Sequence, residues 1–304
     1  KERLREIRRG VAEANGIELA YEDMGDVLHP PILLIMGLSA QLIHWPLGFC
    51  EQLVKAGYRV IRFDNRDIGL STKLSHLKVT GPVWKRFLRA QLGLPSPVPY
   101  NLHDMAEDVR GLLDFLQIPT AHVVGASMGG MITQLFAAKY PQRVRSVGII
   151  FSSTNQPLLP PPSRAALKPL MSGPGKGATR EQLIAHSAKF MRVISGSKHT
   201  FSQEELVALA TESNARSFHP AGIVRQFSAI LGTGSLRAYT RRINKPSVVI
   251  HGTDDPLVRP ACGKAVARNI PKARLVMIPG MGHDLPPSAW ERITHALIVN
   301  AKQA

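Results

Sequence analysis

The chain is poor in aromatic residues, in cysteine and in long apolar runs, and each shortage narrows what the protein can be. Aromatic residues make up 6% of the 304 residues while 44% are hydrophobic, so aliphatic strands should dominate a sizeable core. The two cysteines, Cys50 and Cys262, lack metal-ligand spacing, which favours two buried reduced thiols over a disulfide. No window holds 18 uninterrupted apolar residues, which excludes a transmembrane helix within these residues.

Acidic residues are also scarce, with 22 Asp and Glu against 38 Lys and Arg, so the formal net charge is +16. Residues 68–103 contain five basic residues and no acidic one, and residues 151–245 contain thirteen basic residues against four glutamates. Such a surplus favours anionic partners such as an anionic membrane surface, whereas nucleic acid is not expected, because no recognition motif accompanies the charge. We expect a cytoplasmic location, with membrane-associated and exported forms as alternatives, and the oligomeric state stays open.

Strand-like and helix-like segments alternate along most of the chain. Apolar strands are predicted at 31–35, 58–64, 121–125, 144–151, 246–251 and 273–278, after a hairpin of 7–13 and 17–22 around Asn15-Gly16. Amphipathic helices are predicted at 47–56, 102–116 and 128–139, and a capping box of Ser288 and Glu291 opens a last helix. This alternation is typical of the α/β class, with a mostly parallel central sheet flanked by helices.

The alternation stops between residues 153 and 245. This stretch contains three consecutive prolines at 160–162 and apparent helices near 180–193, 203–214 and 219–231, with no convincing strand. We therefore predict one α/β core formed by residues 1–152 and 246–304, with a helical cap of residues 153–245 inserted between two strands.

The segment Gly125–Gly129 fits the pattern G-x-S-x-G, with an apolar strand running into it and a helix running out. The bare pattern is weak evidence, because composition alone produces it in about one chain in ten of this length. In such a strand–turn–helix context, the serine hydroxyl is pushed out above the sheet, and the glycines let strand and helix approach closely. Ser127 is therefore the predicted nucleophile, and the alternative is a Gly/Ser-rich turn with an N-cap serine.

An acid and a histidine follow the serine in the order that serine-triad chemistry requires in this kind of fold. Strand 246–251 runs into Asp254-Asp255, and strand 273–278 runs into a glycine-containing loop that ends at His283. We predict His283 as the general base and Asp255 as the acid that orients it, because Asp255 lies where the loop turns back before Pro256. Asp254, which is placed to cap the turn or the following helix, is the alternative acid.

Stabilising the negative charge of a tetrahedral intermediate needs two backbone N–H groups. Met128, directly after the nucleophile, and Leu38, in the loop after strand 31–35, are the predicted donors, with Gly37 permitting the approach. Candidate pocket residues are Trp45, Met131, Phe190, Phe218, Phe227 and, in addition, His44. Core packing is the ordinary alternative for these side chains. No metal-ligand pattern is present in the sequence, so we expect neither a metal nor a cofactor.

Four segments carry a resemblance to known proteins: Asp64-Asn-Arg-Asp-Ile-Gly-Leu-Ser71, Gly125-Ala-Ser-Met-Gly-Gly130, His251-Gly-Thr-Asp-Asp255 and Ile278-Pro-Gly-Met-Gly-His-Asp-Leu-Pro286. With them the chain resembles the α/β-hydrolase superfamily over almost its full length, and within it the serine carboxylesterases similar to aclacinomycin methylesterase. The resemblance implies an α/β-hydrolase fold and serine chemistry but says little about the substrate. Two positions depart from many relatives: Met36-Gly37 stands where they have His-Gly, and Arg66-Asp67 where they have Arg-Gly.

Together these features predict a serine hydrolase that cleaves a small-molecule carboxylic ester through a covalent acyl-enzyme. The alternatives are a lipase- or phospholipase-like enzyme acting at a membrane surface, and a perhydrolase similar to the cofactor-free haloperoxidases. Residues 83–92 bear on the first alternative, because Trp84, Phe87, Leu88 and Leu92 share one helical face. Such a helix suits a membrane interface or packing beside the active-site mouth. The natural substrate and its chain length stay open.

Overall fold

The computed structural model describes residues 6–304, so residues 1–5 of the predicted core lie outside the described residues. The strands are β1 (Ile7–Ala14), β2 (Ile17–Met24), β3 (Pro31–Ile35), β4 (Arg59–Phe63), β5 (Ala121–Ala126), β6 (Val144–Ile150), β7 (Ser247–Gly252) and β8 (Arg274–Ile278). The α-helices are α1 (Leu47–Lys55), α2 (Val83–Gln91), α3 (Leu102–Phe115), α4 (Met128–Lys139), α5 (Arg164–Met171), α6 (Arg180–Val193), α7 (Gln203–Arg216), α8 (Pro220–Thr233), α9 (Arg237–Thr240), α10 (Pro260–Asn269) and α11 (Pro287–Ala301). Within residues 6–304, no helix is both long and apolar enough to cross a bilayer.

The eight described strands form one sheet in the order β1-β2-β4-β3-β5-β6-β7-β8. β2 is antiparallel to both of its neighbours, and every pairing from β4 to β8 is parallel. The β1–β2 hairpin turns at Asn15 and Gly16, which have φ values of 52° and 78°. Both are left-handed, as a two-residue Asn-Gly turn requires. The predicted mostly parallel sheet is confirmed.

Alternate residues of the central strands point into two separate cores, one on each face of the sheet. Leu33 and Val123 pack with apolar side chains of α3 and α4 on one face. Leu34 and Val124 pack with side chains of α1 and α11 on the other. Burial on both faces explains why these strands read as continuous apolar runs in the sequence. Since parallel strands share their direction, the loops that follow β3, β5, β7 and β8 meet at one edge of the sheet.

The inserted segment, defined here as residues 151–246 between β6 and β7, is helical. It contains the three helices predicted in this region as α6, α7 and α8, and two shorter ones, α5 and α9. Capping boxes open α6 at Thr179 and α7 at Ser202, which explains where these helices begin. α6 and α7 pack against each other through a small apolar cluster that includes Ala188, Leu206 and Ala210.

The capping box predicted for the last helix is wrong. α11 begins at Pro287, and its N-cap residue is Pro286, so Ser288 already lies inside the first turn. The Ser288 hydroxyl lies 2.8 Å from Nδ1 of His199 in the inserted segment. A long-range contact therefore takes the side chain that the local pattern assigned to the helix end.

Candidate active site

Ser127 stands at the tip of the tight turn between β5 and α4, with φ of 57° and ψ of −121°. Its N–H donates a hydrogen bond of 2.9 Å to the Ile150 carbonyl of the neighbouring strand. A side chain at Gly125 would overlap the backbone of Gly129, and a side chain at Gly129 would overlap the carbonyl of Ile35. The glycines are therefore required by close packing, and this packing holds the serine in a strained backbone conformation at the edge of the sheet.

A hydrogen-bonded row runs from the loop after β7 to the turn after β5. Asp255 Oδ2 lies 2.8 Å from His283 Nδ1, and His283 Nε2 lies 3.0 Å from Ser127 Oγ. The second Asp255 oxygen accepts from the backbone N–H groups of Leu257 and Val258, both at 2.9 Å. Because a carboxylate accepts hydrogen bonds, this row fits a histidine with its proton on Nδ1 and a free lone pair on Nε2 facing the serine hydroxyl.

The two neighbouring aspartates have different partners. Asp254 accepts a hydrogen bond of 3.2 Å from the backbone N–H of Ser197 and another from the Ser197 hydroxyl. These hydrogen bonds hold the pKa of the Asp254 carboxyl below its ordinary value. The structure thus brings Asp255 to the histidine and Asp254 to the inserted segment.

The two predicted oxyanion donors come from different segments: Met128 follows Ser127 at the start of α4, and Leu38 lies in the loop after β3. Among residues 6–304, neither the Leu38 N–H nor the Met128 N–H donates to another protein group. A Cβ at Gly37 would lie 2.9 Å from Ser127 Cβ, so only glycine permits this approach. Both N–H groups are therefore unpaired within residues 6–304, and both residues line a cavity that Ser127 also lines.

A cavity of about 440 Å³ opens over Ser127 and His283. Its walls come from the loop after β3, from α2 and mainly from the inserted segment, including Phe87, Leu158, Leu167, Phe190, Met191, Phe201, Leu209, Phe227 and Leu231. No lysine or arginine is among the described residues that line it, although the chain carries a net charge of +16. Its size and apolar lining are those of a site for a sizeable uncharged molecule.

Two of the five predicted pocket residues lie elsewhere. Met131, Phe190 and Phe227 line the cavity, as does the additional candidate His44. Trp45 does not: it is fully buried in the core and stacks on Phe49, with ring centroids 5.6 Å apart. Phe218 is 56% exposed in the loop between α7 and α8, outside the cavity. Sequence alone does not distinguish these sites, because each residue type is equally suited to a core, a cavity wall or a surface loop.

Burial shifts the pKa values of several titratable groups around the cavity. It lowers the pKa of His44 to about 4, which keeps this imidazole neutral. Burial raises the pKa of Asp284, the only carboxyl group among the described lining residues, to about 7. It also raises the pKa of Cys262, which is a free thiol like Cys50. Within residues 6–304, no group of three His, Cys, Asp or Glu side chains could hold a metal ion.

Sequence reasoning missed a set of buried polar contacts that join helices α7 and α8 of the inserted segment to the loops after β3 and β4. Arg216 on α7 contacts Asp64, with a nitrogen–oxygen distance of 3.1 Å. On α8, the Gln226 side chain accepts from the Ser39 N–H at 3.1 Å and donates to the Arg66 carbonyl at 2.8 Å. The segment Asp64–Ser71, which carried part of the resemblance, was the available signal. Its partners are more than 150 residues away and could not be inferred.

A model of the family described as the alpha/beta hydrolase fold matches residues 30–287. This match spans most of the chain, including the turn at Ser127 and the loops of Asp255 and His283. The chain belongs to the α/β-hydrolase family. The resemblance inferred from the sequence is thereby confirmed.

Individual relatives of this α/β hydrolase agree with that assignment. It is 28% identical over 307 residues to the rhodomycin D methylesterases DauP of Streptomyces sp. (strain C5) and DnrP of Streptomyces peucetius, covering 95% of this chain and 96% of each relative. The structure resembles a thermophilic esterase from Thermogutta terrifontis, with a TM-score of 0.67, 22% identity and 97% of each chain covered. A variant of the meta-cleavage product hydrolase CumD gives a TM-score of 0.73 at 18% identity, covering 97% of this chain and 98% of that one. These two structures support the fold alone.

Proposed function

We propose that this α/β hydrolase is a carboxylesterase in which Ser127 is the nucleophile, His283 the general base and Asp255 the orienting acid. The observation that carries the proposal is the hydrogen-bonded row with distances of 2.8 Å and 3.0 Å, which ends at the floor of the cavity. Such a row raises the nucleophilicity of a serine hydroxyl, because the histidine accepts its proton as the hydroxyl attacks.

The reaction follows from these positions. Ser127 Oγ attacks the ester carbonyl carbon while its proton passes to His283 Nε2, and Asp255 stabilises the resulting imidazolium. The negative oxygen of the tetrahedral intermediate is stabilised by the N–H groups of Leu38 and Met128. His283 then returns the proton to the leaving alcohol. A water molecule, deprotonated by the same histidine, attacks the acyl carbon; the bond to Ser127 Oγ then breaks, His283 returns the proton to that oxygen, and the acid leaves.

The cavity favours an ester with a bulky apolar part. A volume of about 440 Å³ with apolar walls suits an aromatic or aliphatic group. The lack of a lysine or arginine among the described lining residues disfavours substrates with a carboxylate next to the reacting carbon. The two Streptomyces relatives are named rhodomycin D methylesterases. We therefore propose that the leaving alcohol is small, as methanol is, and that the cavity holds the acyl part.

Labelling with a fluorophosphonate, mapped by mass spectrometry, tests the nucleophile. We expect one labelled residue, Ser127, and a loss of about 10⁴-fold or more in ester hydrolysis for Ser127→Ala. Ser187→Ala is the matched control, because Ser187 also lines the cavity but is not part of the hydrogen-bonded row. If the folded protein is not labelled at Ser127, or if Ser127→Ala retains activity, the proposal is wrong.

A series of methyl and p-nitrophenyl esters tests the substrate class. We expect kcat/KM to rise with the apolar bulk of the acyl group and to fall when that group carries a carboxylate. Replacing Phe190 or Phe227 with Ala should change this preference without changing labelling at Ser127, because both rings line the cavity. Equal rates for bulky, small and anionic acyl groups would contradict the proposed substrate class.

A further inference from the structure

Helix α2 exposes a row of large apolar side chains to solvent. Trp84 is 69% exposed, and Leu88 and Leu92 are 54% and 56% exposed. Phe87, predicted to share this face, instead packs inward, with its ring centroid 5.7 Å from that of Phe227 on α8. The exposed row is therefore a second apolar face of α2, and the protein core does not use it.

This row borders the mouth of the cavity. The residue after Leu92 is Gly93, where an added Cβ would lie 2.8 Å from Pro157, so the end of α2 touches the segment that leads to Leu158. Leu158 and Leu167, the latter on α5, both line the cavity. Leu158 is 97% exposed and Leu167 is 37% exposed. We define the apolar rim as Trp84, Leu88, Leu92, Leu158 and Leu167.

The segments that carry the apolar rim are basic and contain no acid. Residues 68–103 hold five Lys and Arg, residues 151–180 hold four, and neither range contains Asp or Glu. Lys85 beside Trp84, and Arg164 and Lys168 on either side of Leu167, are exposed. Exposed apolar side chains in segments that carry basic residues and no acidic ones suit a surface that offers both hydrocarbon and negative charge.

We propose that the apolar rim docks the protein on an anionic lipid surface, with the mouth of the cavity facing the lipid. The rim would enter the boundary between head groups and acyl chains, while Lys85, Arg164 and Lys168 contact lipid phosphates. A second copy of the chain is a poor occupant, because pairing this face with itself would bring the exposed Lys85, Arg164 and Lys168 of both copies together. An apolar ester dissolved in the bilayer would then reach the cavity without crossing water.

Trp84 provides the direct measurement. Of the three tryptophans, Trp45 is fully buried and Trp290 donates a 2.7 Å hydrogen bond to the Leu285 carbonyl, so Trp84 is the strongly exposed one. We expect its fluorescence to shift to shorter wavelength with vesicles of phosphatidylglycerol and phosphatidylcholine in equal parts, and not with phosphatidylcholine alone. The shift should disappear in about 1 M salt, where the screening length is about 3 Å. The proposal goes beyond the esterase activity, because Ser127→Ala should bind as the unmodified chain does.

Paired variants locate the surface by vesicle co-sedimentation. Leu88→Ser should weaken binding about tenfold, and Lys85→Glu about fivefold or more, through lost apolar burial and lost charge respectively. The matched controls are Leu28→Ser and Lys55→Glu, because both residues are exposed and lie before β3 and β4, at the opposite edge of the sheet. Their binding should equal that of the unmodified chain, and Leu88→Ser should keep normal hydrolysis of a soluble ester.

Several results would overturn the proposal. Absence of vesicle binding at low salt would do so, as would equal losses in the controls and in the rim variants. Sedimentation of the unmodified chain as a dimer that Trp84→Ser converts to a monomer would assign the rim to a second copy instead. None of these outcomes bears on whether Ser127 is the nucleophile, since that is measured separately by labelling.

Discussion

Arg225 on α8 donates two hydrogen bonds to the carboxylate of Asp67, with nitrogen–oxygen distances of 2.9 and 2.8 Å. Asp67 has a φ of 68°, in the left-handed region that favours glycine. Burial acts to raise its pKa, but hydrogen bonds from Arg225 and Tyr100 outweigh burial and hold the pKa below its ordinary value. The hydrogen bonds of Asp67 join the loop after β4 to the inserted segment, and they offset the unfavourable backbone conformation of this residue.

Replacing Asp67 with glycine should therefore destabilise this protein, although glycine suits the backbone conformation better. Asp67→Gly removes about 1 kcal/mol of backbone strain but leaves the buried Arg225 without its partner. We expect a net loss of about 3 kcal/mol in the free energy of unfolding, measured by urea denaturation at neutral pH. The double variant Asp67→Gly/Arg225→Met should recover more than half of the loss, because it no longer buries an unpaired charge. A single variant as stable as the unmodified chain would contradict this explanation.

A second close contact joins the inserted segment to the loop of the histidine. The N–H of His283 donates to the Ile194 carbonyl at 2.7 Å, and the N–H of Lys198 donates to the Gly280 carbonyl at 3.0 Å. A Cβ at Gly196 would lie 2.6 Å from the backbone nitrogen of Gly282 and would overlap the Gly280 carbonyl. The position of His283 therefore depends on the backbone of residues 194–198, in the part of the chain that also lines the cavity.

Gly196→Ala should lower catalysis more than binding. The added methyl group displaces the loop that carries His283, and displacements of about 1 Å cost roughly 100-fold in rate. We expect kcat to fall by that order while KM for a p-nitrophenyl ester changes little. Gly173→Ala is the matched control, because an added Cβ there meets no atom within 4 Å. Equal kinetics for the two variants would show that the histidine loop does not depend on this contact.

The parts of the fold that the sequence predicts are those set by local pattern. The strand, tight turn and helix around Ser127 follow from residues that are neighbours in the chain, and so does the Asn15-Gly16 hairpin. Contacts between distant segments were not predictable, as Ser288 shows by contacting His199 instead of capping α11. The same applies to Trp45, because its burial depends on packing against α1, which composition does not encode.

Asp255 and Asp254 should differ sharply when each is changed to asparagine. Asp255→Asn leaves His283 with the wrong tautomer and should lower kcat by about 10⁴-fold. Asp254→Asn weakens the contact with Ser197 and should lower kcat less than about tenfold. Steady-state hydrolysis of one activated ester measures both, with circular dichroism to compare their folding. If Asp254→Asn lowered kcat as much as Asp255→Asn, the orienting role proposed for Asp255 would be wrong.

Asp284 should make the stability of the protein fall as the pH rises towards neutrality. Burial beside the cavity raises its pKa from the ordinary 3.8 to about 7, so between these values the folded state holds a proton that the unfolded chain has released. Stability decreases with pH wherever the folded state binds more protons, and the decrease should sum to roughly 3 kcal/mol between pH 4.5 and pH 7.5. The asparagine in Asp284→Asn cannot titrate. The free energy of unfolding of this variant, measured by urea denaturation, should therefore rise relative to that of the unmodified chain from pH 4.5 to pH 7.5. Glu13→Gln removes a carboxylate from an exposed position of β1 and corrects for the change in net charge. Parallel stability curves for Asp284→Asn and the unmodified chain would mean that this carboxyl is ionised throughout the range.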